Sequence, residues 1–227
     1  IMDVTERQEQ VQQLQVLDRV IRHNLRNDLN VINGYTEAIE PAVDGTAAEF
    51  LDRIRDQSDQ LLETMEKSRT ITKVLATDSS VLGVDVVAVV ERVVGQLRNR
   101  NPEAEITVDA PAEAMARVSE HFEFAVEELV ANAIDHHDAD HPTVEIGVEV
   151  LDDQVRLSVA DDGPGIPTME QDVVTGERAI EPLYHGSGLG LWLVSWVVSR
   201  SEATLSFAER DPRGSVVTVE LGREPSS

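Results

Sequence analysis

Several residue types are scarce in this sequence of 227 residues: it has no cysteine, 4% aromatic residues and only two lysines, Lys67 and Lys73. Without cysteine, the protein has neither disulfide bonds, nor thiolate metal sites, nor a cysteine nucleophile. It also has no apolar run of about 18 residues or more, and residues 1–10 lack the cationic and apolar regions of a signal peptide. We therefore expect a soluble, cytoplasmic protein with no membrane insertion in this segment.

Positive charge is scarce as well. The sequence has 43 acidic against 19 basic residues and a formal net charge of -24, which repels nucleic acid and anionic lipid surfaces, so we expect no nucleic-acid partner. An acid-rich sequence that is poor in lysine but retains arginine is typical of proteins dissolved in molar salt. It favours a halophilic, haloarchaeal source over a merely acidic protein, because at that ionic strength a Debye length of roughly 3 Å screens self-repulsion.

The first third of the chain has a helical pattern. Apolar residues recur at three- and four-residue steps from about Val4 to Glu40, and a second helical pattern runs from about Ala47 to Ala76, after a break that contains Pro41 and Gly45. The two apolar stripes comprise Val11, Leu14, Leu17, Ile21, Leu25, Leu29, Ile32, Tyr35 and Ile39, then Phe50, Ile54, Leu61, Met65, Thr72 and Leu75. Two such helices predict an antiparallel hairpin that dimerises into a four-helix bundle, because one partner helix cannot cover the whole stripe. Periodicity alone leaves an intramolecular coiled coil or a spacer equally open.

After Asp78 short strands alternate with helices, which predicts an α+β layer sandwich. The predicted strands are Glu105–Asp109, Ala114–Val118, Val144–Leu151, Gln154–Ala160, Thr204–Ala208 and Ser215–Leu221. The predicted helices are Val86–Arg98, Glu120–Asp135 and Gly188–Ser201. Asp85 and Ser119 are the expected N-caps of the first two helices.

Three segments of this half carry residues suited to a nucleotide. Glu128 and Asn132 are four residues apart and share one helix face, where their oxygens suit Mg²⁺, although such a pair is more often a solvated face. The segment from Asp161 to Ile166 offers a carboxylate for an exocyclic amine and two glycines beneath a flat base; a hairpin turn would use the same residues. Residues 186–191, Gly-Ser-Gly-Leu-Gly-Leu, open a helix whose N-terminal amides suit phosphate.

In this order the three segments resemble the N, G1 and G2 boxes of the GHKL ATPase superfamily, over about Val84 to Gly222. The resemblance implies a Bergerat-type α/β sandwich that binds ATP and Mg²⁺. It implies that Asn132, with Glu128, binds the metal and that Asp161 reads adenine. The other nucleotide-binding residues implied are Asp135, His136, Gly163, Gly165, Ile166, Gly186, Ser187, Gly188, Leu189 and Gly190, with residues 173–185 as the ATP lid. Asp135 stands where relatives often have lysine, and at His136 a solvated helix end is as plausible as a phosphate contact.

The segment from Arg22 to Leu29 resembles the H box of the histidine kinase dimerisation and phosphotransfer domain. It implies that His23 is the phosphoacceptor and that Asn27, four residues later, helps to orient water when the enzyme acts as a phosphatase. The commonest H box has an acid directly after the histidine, whereas this sequence has Asn24. The general base is therefore open between Asp28, Glu128 and water, or Asn24 merely orients the imidazole.

Together the resemblances predict a sensor histidine kinase core. Residues 1–10 resemble the exit of a PAS sensor domain, residues 11–77 the phosphotransfer hairpin, and residues 78–227 the ATP-binding domain. The expected reaction moves the γ-phosphate of ATP to His23 and then to an aspartate of a response regulator. A GHKL clamp-type ATPase and a non-catalytic dimeric scaffold are the alternatives.

Overall fold

The computed structural model describes residues 25–76, 80–137, 141–167, 171 and 188–224. The chain divides into two compact units, residues 1–70 and 71–227. The predicted phosphoacceptor His23, together with Asn24, Gly186, Ser187 and the expected lid at 173–185, lies outside the described residues. Within the described ranges, no helix is both long and apolar enough to cross a membrane.

The first unit is a helical hairpin. Helix α1 occupies residues 25–39 of the described chain, a 3-10 turn follows at Glu40–Ala42, and helix α2 spans Thr46–Ala76. Gly45 (φ 61°) makes the turn, and its carbonyl accepts hydrogen bonds from the N–H groups of Ala48 and Glu49 at 3.0 and 3.3 Å. Asn33 donates to Asp59 at 2.9 Å and Arg55 to Glu40 at 2.8 Å, which shows that the two helices run antiparallel.

Only part of the hairpin's apolar surface is covered within one chain. Leu29, Thr36 and Ser58 are buried, and the two hydroxyl groups are satisfied by backbone carbonyls of their own helices. The large apolar side chains beside them stay exposed, from 41% at Ile32 to 67% at Tyr35. The other exposed members of this face are Leu25, Val31, Ile39, Phe50, Ile54 and Leu61. The described part of the hairpin therefore has an apolar face that the described residues of the hairpin leave exposed.

The second unit is a layered α+β domain, as predicted. Its elements are β1 (Val81–Asp85), α3 (Val86–Arg100), β2 (Glu105–Asp109), β3 (Met115–Ser119), α4 (Phe122–Asp135), β4 (Thr143–Val150), β5 (Gln154–Asp161), α5 (Gly188–Arg200), β6 (Thr204–Glu209) and β7 (Ser215–Gly222). Among the described residues, five strands form one sheet in the order β2-β4-β5-β7-β6, in which β2 and β4 are parallel and the other neighbours antiparallel. Strands β1 and β3 form a separate antiparallel pair.

The core lies between the helices and one face of the sheet. Alternate residues of the central strands are buried, for example Val155, Leu157 and Val159 on β5, as expected for a sheet with one covered face. Helix α4 packs on both α3 and α5 and contacts β5. It therefore holds a central position in the helical layer, with its C-terminal end near the end of β5.

One local expectation was confirmed, one was wrong, and one strand was not predicted. Asp85 is the N-cap of α3, accepting from the Val87 N–H at 3.1 Å. Ser119 is not the N-cap of α4: it ends β3, where pairing with Val81 holds it extended, and the N-cap is His121. The strand β1 was not predicted, because its five residues gain their regular structure only by pairing with β3.

Candidate functional site

A cavity of about 360 Å³ opens between α4, α5 and the ends of β5 and β7. Its walls are mainly apolar, with a few polar groups that converge on it, a combination typical of sites for small organic ligands. The residues that line it are Leu129, Asn132, Ala133, His136, Val159, Asp161, Pro164, Gly165, Ile166, Pro167, Leu191, Ser215 and Val217. Helix α4 and the loop after β5 supply most of them.

Asp161, the last residue of β5, is the carboxylate of this cavity. Its Oδ1 accepts hydrogen bonds from the N–H groups of Gly163 at 2.9 Å and Ser215 at 3.3 Å, and its Oδ2 accepts from the Ser215 hydroxyl. A carboxylate can accept about four hydrogen bonds, so one more acceptor position remains for a ligand. Three donors therefore orient Asp161 before any ligand binds.

The backbone of Asp161 requires a glycine directly before the neighbouring strand β7. Gly214 has a φ of 117°, which side chains rarely allow, and a β-carbon there would overlap the Asp161 carbonyl oxygen. Gly165, at φ 87°, lies close to the Gly214 carbonyl on the cavity side. These two glycines let the loop after β5 lie directly against the start of β7.

A second polar cluster lies where α5 begins. A β-carbon at Gly190 would overlap the carboxylate of Glu128 and lie 3.4 and 3.5 Å from the amide atoms of Asn132. The side chains of Glu128 and Asn132 therefore meet above the backbone of α5, as their four-residue spacing predicts. Among the described residues, the Asn132 Nδ2 is one of few buried polar atoms with no hydrogen-bond partner, so the amide retains capacity for a polar ligand.

A buried histidine joins the end of α4 to the loop after β5. The ring of His137 is 4% exposed, and its Nε2 lies 2.6 Å from Oδ1 of Asp162. The same oxygen accepts from the Thr143 N–H at 3.0 Å. Partial burial, the largest single influence, raises the pKa of Asp162, but the hydrogen bonds from Thr143 and His137 and the charge of His137 outweigh it and hold the pKa below the usual range of an aspartate. Asp162 is therefore ionised at neutral pH.

The structure brings most of the predicted nucleotide-site residues together. Asn132, His136, Asp161, Gly165 and Ile166 line the cavity, and Glu128, Gly163 and Gly190 contact lining residues. Asp135 is exposed at the end of α4 and does not line the cavity, whereas Gly188 and Leu189 open α5. Asn27 and Asp28 lie on α1, in the other unit.

Sequence reasoning did not find Ser215, although its N–H and hydroxyl make two of the three hydrogen bonds to the Asp161 carboxylate. The two residues are 54 positions apart, and only the pairing of β5 with β7 brings them together. The apolar lining of Leu129, Val159, Leu191 and Val217 was not identified either. The only local signal was the turn at residues 211–214 directly before a predicted strand.

Comparisons with known proteins agree with this site. The family model for the histidine kinase-, DNA gyrase B- and HSP90-like ATPase matches residues 117–225, and the model for the His Kinase A phospho-acceptor domain matches residues 9–76. The chain is 29% identical over 203 residues to a sensor-type histidine kinase, PrrB, of Mycobacterium leprae, and 27% identical over 188 residues to cyanobacterial phytochrome A of a Nostoc species. These matches cover 86% and 79% of the chain but only 44% and 24% of the two relatives.

Solved structures show the same fold. The mycobacterial sensor histidine kinase MprB is 25% identical, with a TM-score of 0.54 over 65% of this chain and 100% of that one. Full-length ShkA, solved in complex with AMPPNP, is 19% identical, with a TM-score of 0.61 over 92% of this chain and 46% of that one.

Fold, cavity and comparisons define a class of protein: a phospho-acceptor segment followed by an ATPase domain of the histidine kinase type. In these two segments and in this order the chain is similar to ATP-dependent sensor histidine kinases of two-component signalling.

Proposed function

We propose that this chain transfers the γ-phosphate of ATP to His23 and then to an aspartate of a response regulator. The observation that supports it best is the Asp161 cavity: a carboxylate oriented by three donors, among apolar walls, beside the start of α5. This cavity belongs to a chain whose earlier residues match a phospho-acceptor domain. The same cavity in a clamp ATPase would leave that segment without a role.

In this proposal Asp161 accepts a hydrogen bond from the exocyclic amine of adenine. Guanine presents a carbonyl oxygen at that position, which a carboxylate repels, so the site selects ATP over GTP. The apolar side chains of Leu129, Val159 and Val217 would pack against the base. The N-terminal end of α5, with Gly188 and Gly190 and preceded by Gly186 and Ser187, would face the phosphates, because free amides and the helix dipole favour anions there.

Asn132 and Glu128 fit a Mg²⁺ ion. Their side chains meet above Gly190, where the Asn132 amide oxygen and the Glu128 carboxylate offer the hard oxygen donors that suit this ion. No group of three or more His, Cys, Asp or Glu side chains within the described ranges would hold a metal, so phosphate oxygens and water would supply the other ligands, as Mg²⁺ prefers. When bound, Mg²⁺ would neutralise phosphate charge during transfer.

At the acceptor, a neutral imidazole nitrogen of His23 attacks the γ-phosphorus, the bond to the β–γ bridging oxygen breaks, and ADP leaves. The ring proton passes to a base, for which Asp28, Glu128 and water remain candidates. Asn27 lies on α1, four residues after position 23 in the sequence. In the reverse role, as a phosphatase toward the regulator, Asn27 would help to orient the attacking water.

We extend the proposal to the organisation of the chain. Residues 1–10 would end a PAS-like sensor or its signalling helix, residues 11–77 would be the phosphotransfer hairpin, and residues 78–227 the catalytic domain. The exposed apolar face of the hairpin supports a homodimer, for which the match to the phospho-acceptor family also speaks. A cytoplasmic location and a halophilic, haloarchaeal source complete the proposal, the latter on the net charge of -24.

The test is incubation of the purified chain with γ-labelled ATP and Mg²⁺ in about molar salt, the medium that the charge argument favours. Wild type should acquire acid-labile, base-stable label. His23→Gln should acquire none because it lacks the acceptor, and Asn132→Ala should acquire none because it lacks the metal ligand.

The pattern of failure identifies the error. Phosphate release without label that persists in His23→Gln would indicate a clamp ATPase. Label that persists in His23→Gln would place the acceptor elsewhere, and neither label nor release in wild type would contradict the kinase proposal for this chain.

A further inference from the structure

We infer that His137 is a positioning residue of the adenine site: it acts through Asp162 to hold the loop that carries Asp161, and so sustains selectivity for adenine over guanine. The inference rests on the proposed role of Asp161. It concerns two residues that do not line the cavity.

The contact between His137 and Asp162 is a short hydrogen bond from a buried ring. His137 is almost fully buried, and its Nε2 lies 2.6 Å from an oxygen of Asp162 that also accepts the Thr143 N–H at 3.0 Å. Because Asp162 is ionised, the histidine donates through Nε2 in a charge-assisted hydrogen bond, which is shorter and stronger than a neutral one. Two donors from different elements thus define where this carboxylate lies.

The His137–Asp162 hydrogen bond lies directly behind two residues that line the cavity. His136, directly before His137, and Asp161, directly before Asp162, both line the cavity from opposite segments of the chain. The hydrogen bond therefore joins the wall formed by α4 to the wall formed by the loop after β5, from outside the ligand space.

The two walls are also in direct contact beside this bond. A β-carbon at Gly163 would lie 3.0 Å from Oδ1 of Asp161, 3.5 Å from the His136 carbonyl oxygen and 3.7 Å from Cδ2 of His137. The loop therefore rests against the end of α4 with no room for a side chain, and the Asp161 carboxylate lies within the same contact. A shift of the loop would move the adenine acceptor.

Removal of the His137 side chain would free this end of the loop, leaving Ser215 and Gly163 as the partners of Asp161. The expected effect is on the orientation of the carboxylate. ATP should lose its oriented acceptor, whereas GTP, which does not benefit from that acceptor, should lose less. A merely structural defect would weaken both nucleotides alike.

The experiment measures ATP and GTP affinity by titration calorimetry on the full chain with Mg²⁺. His137→Ala should bind ATP about tenfold more weakly, the loss of about one charge-assisted hydrogen bond, and should lose most of its preference for ATP. His137→Gln keeps an N–H donor and should retain part of the ATP affinity and part of the preference for ATP. His141→Ala is the matched control, because the His141 side chain is 74% exposed and contacts Glu103, away from the cavity lining.

A double-mutant cycle with Asp162→Ala tests whether the two residues act through each other. The double variant should bind ATP no more weakly than either single variant, since each single change already breaks the bond. Should His137→Ala fail to fold, as judged by circular dichroism, Asp162→Ala carries the same comparison, because it removes the oxygen that accepts from His137 and should lose most of the ATP preference.

Additive effects in the cycle, an unchanged ATP preference in His137→Ala, or equal losses for ATP and GTP would each overturn the inference. Asp161→Asn separates this from the proposed function. If wild type prefers ATP and Asp161→Asn does not, the role of Asp161 stands and only His137 is in question; if wild type shows no preference, the role of Asp161 fails and the inference with it.

Discussion

At Gly190 the absence of one methyl group keeps a polar cluster intact. The β-carbon of any other residue would overlap the Glu128 carboxylate and crowd the Asn132 amide. Both of these side chains come from α4, whereas Gly190 belongs to α5, so the glycine lets two helices approach closely where the metal is proposed to bind. Interiors are packed closely enough that a single added methyl is felt.

Gly190→Ala should therefore lower the rate of His23 phosphorylation at least tenfold. Helical propensity favours alanine by about 1 kcal/mol, but overpacking costs about 1–3 kcal/mol and displaces Glu128 or Asn132. Gly95→Ala is the control: Gly95 lies in α3 with nothing near its β-carbon position, so the change should stabilise the fold slightly and leave the rate unchanged. A labelling time course on both variants measures this, and a normal rate in Gly190→Ala would contradict the proposed metal position.

At the scale of elements, α1 and α2 form a hairpin that buries too little of its own apolar surface. Leu29 is buried between its neighbours, while Ile32, Phe50 and Ile54 keep two fifths or more of their surface exposed. Burial of such surface is worth roughly 25 cal/mol per Å². A second hairpin that covers this face would complete a four-helix bundle.

We expect Ile54→Glu to convert a dimer to a monomer, because it would place a charge within the buried face of the bundle. Gln60→Glu adds the same charge to an exposed position of the same helix and should leave the dimer intact. Size-exclusion chromatography with light scattering gives the mass of each. A wild type that is monomeric at micromolar concentration, or a dimeric Ile54→Glu, would show that this face is not the dimer interface.

At the scale of the whole molecule, the excess of 24 negative charges is the dominant electrostatic feature. Ion pairs on the second unit, such as Arg92–Glu123 and Arg156–Glu220, are partly exposed and worth about 0–1 kcal/mol each at most. They use few of the carboxylates. Salt weakens both the attraction within these ion pairs and the repulsion among the other carboxylates. The repulsion should be the larger of the two.

The melting temperature should rise as NaCl is increased from about 0.1 M to about 2 M, because the Debye length falls from roughly 10 Å to below 3 Å and the repulsion is screened. KCl at equal ionic strength should act alike, since screening depends on ionic strength. Differential scanning calorimetry measures the change. A melting temperature that falls or stays constant with salt would contradict the proposal of a halophilic source.

Local patterns determined much of this protein. The periodicity of apolar residues predicts the strand Glu105–Asp109 and the helices α3 and α5 where the structure has them. Each of these patterns is complete within its own segment. The Asp85 N-cap is likewise a contact between neighbours in sequence. The order of the three glycine- and acid-containing segments predicted the ATP-binding domain, and the segment around His23 predicted the kinase, before any contact was known.

Only the tertiary structure decided the rest. Ser215 reaches Asp161 across 54 residues because β5 pairs with β7, and His137 reaches Asp162 because the end of α4 packs against the loop after β5. Strand β1 forms because it pairs with β3. In the same pairing Ser119 has an extended backbone at the end of β3 and does not cap α4. Periodicity reports which face of a segment is buried but not which segment covers it, since the partner is chosen by packing of the whole unit.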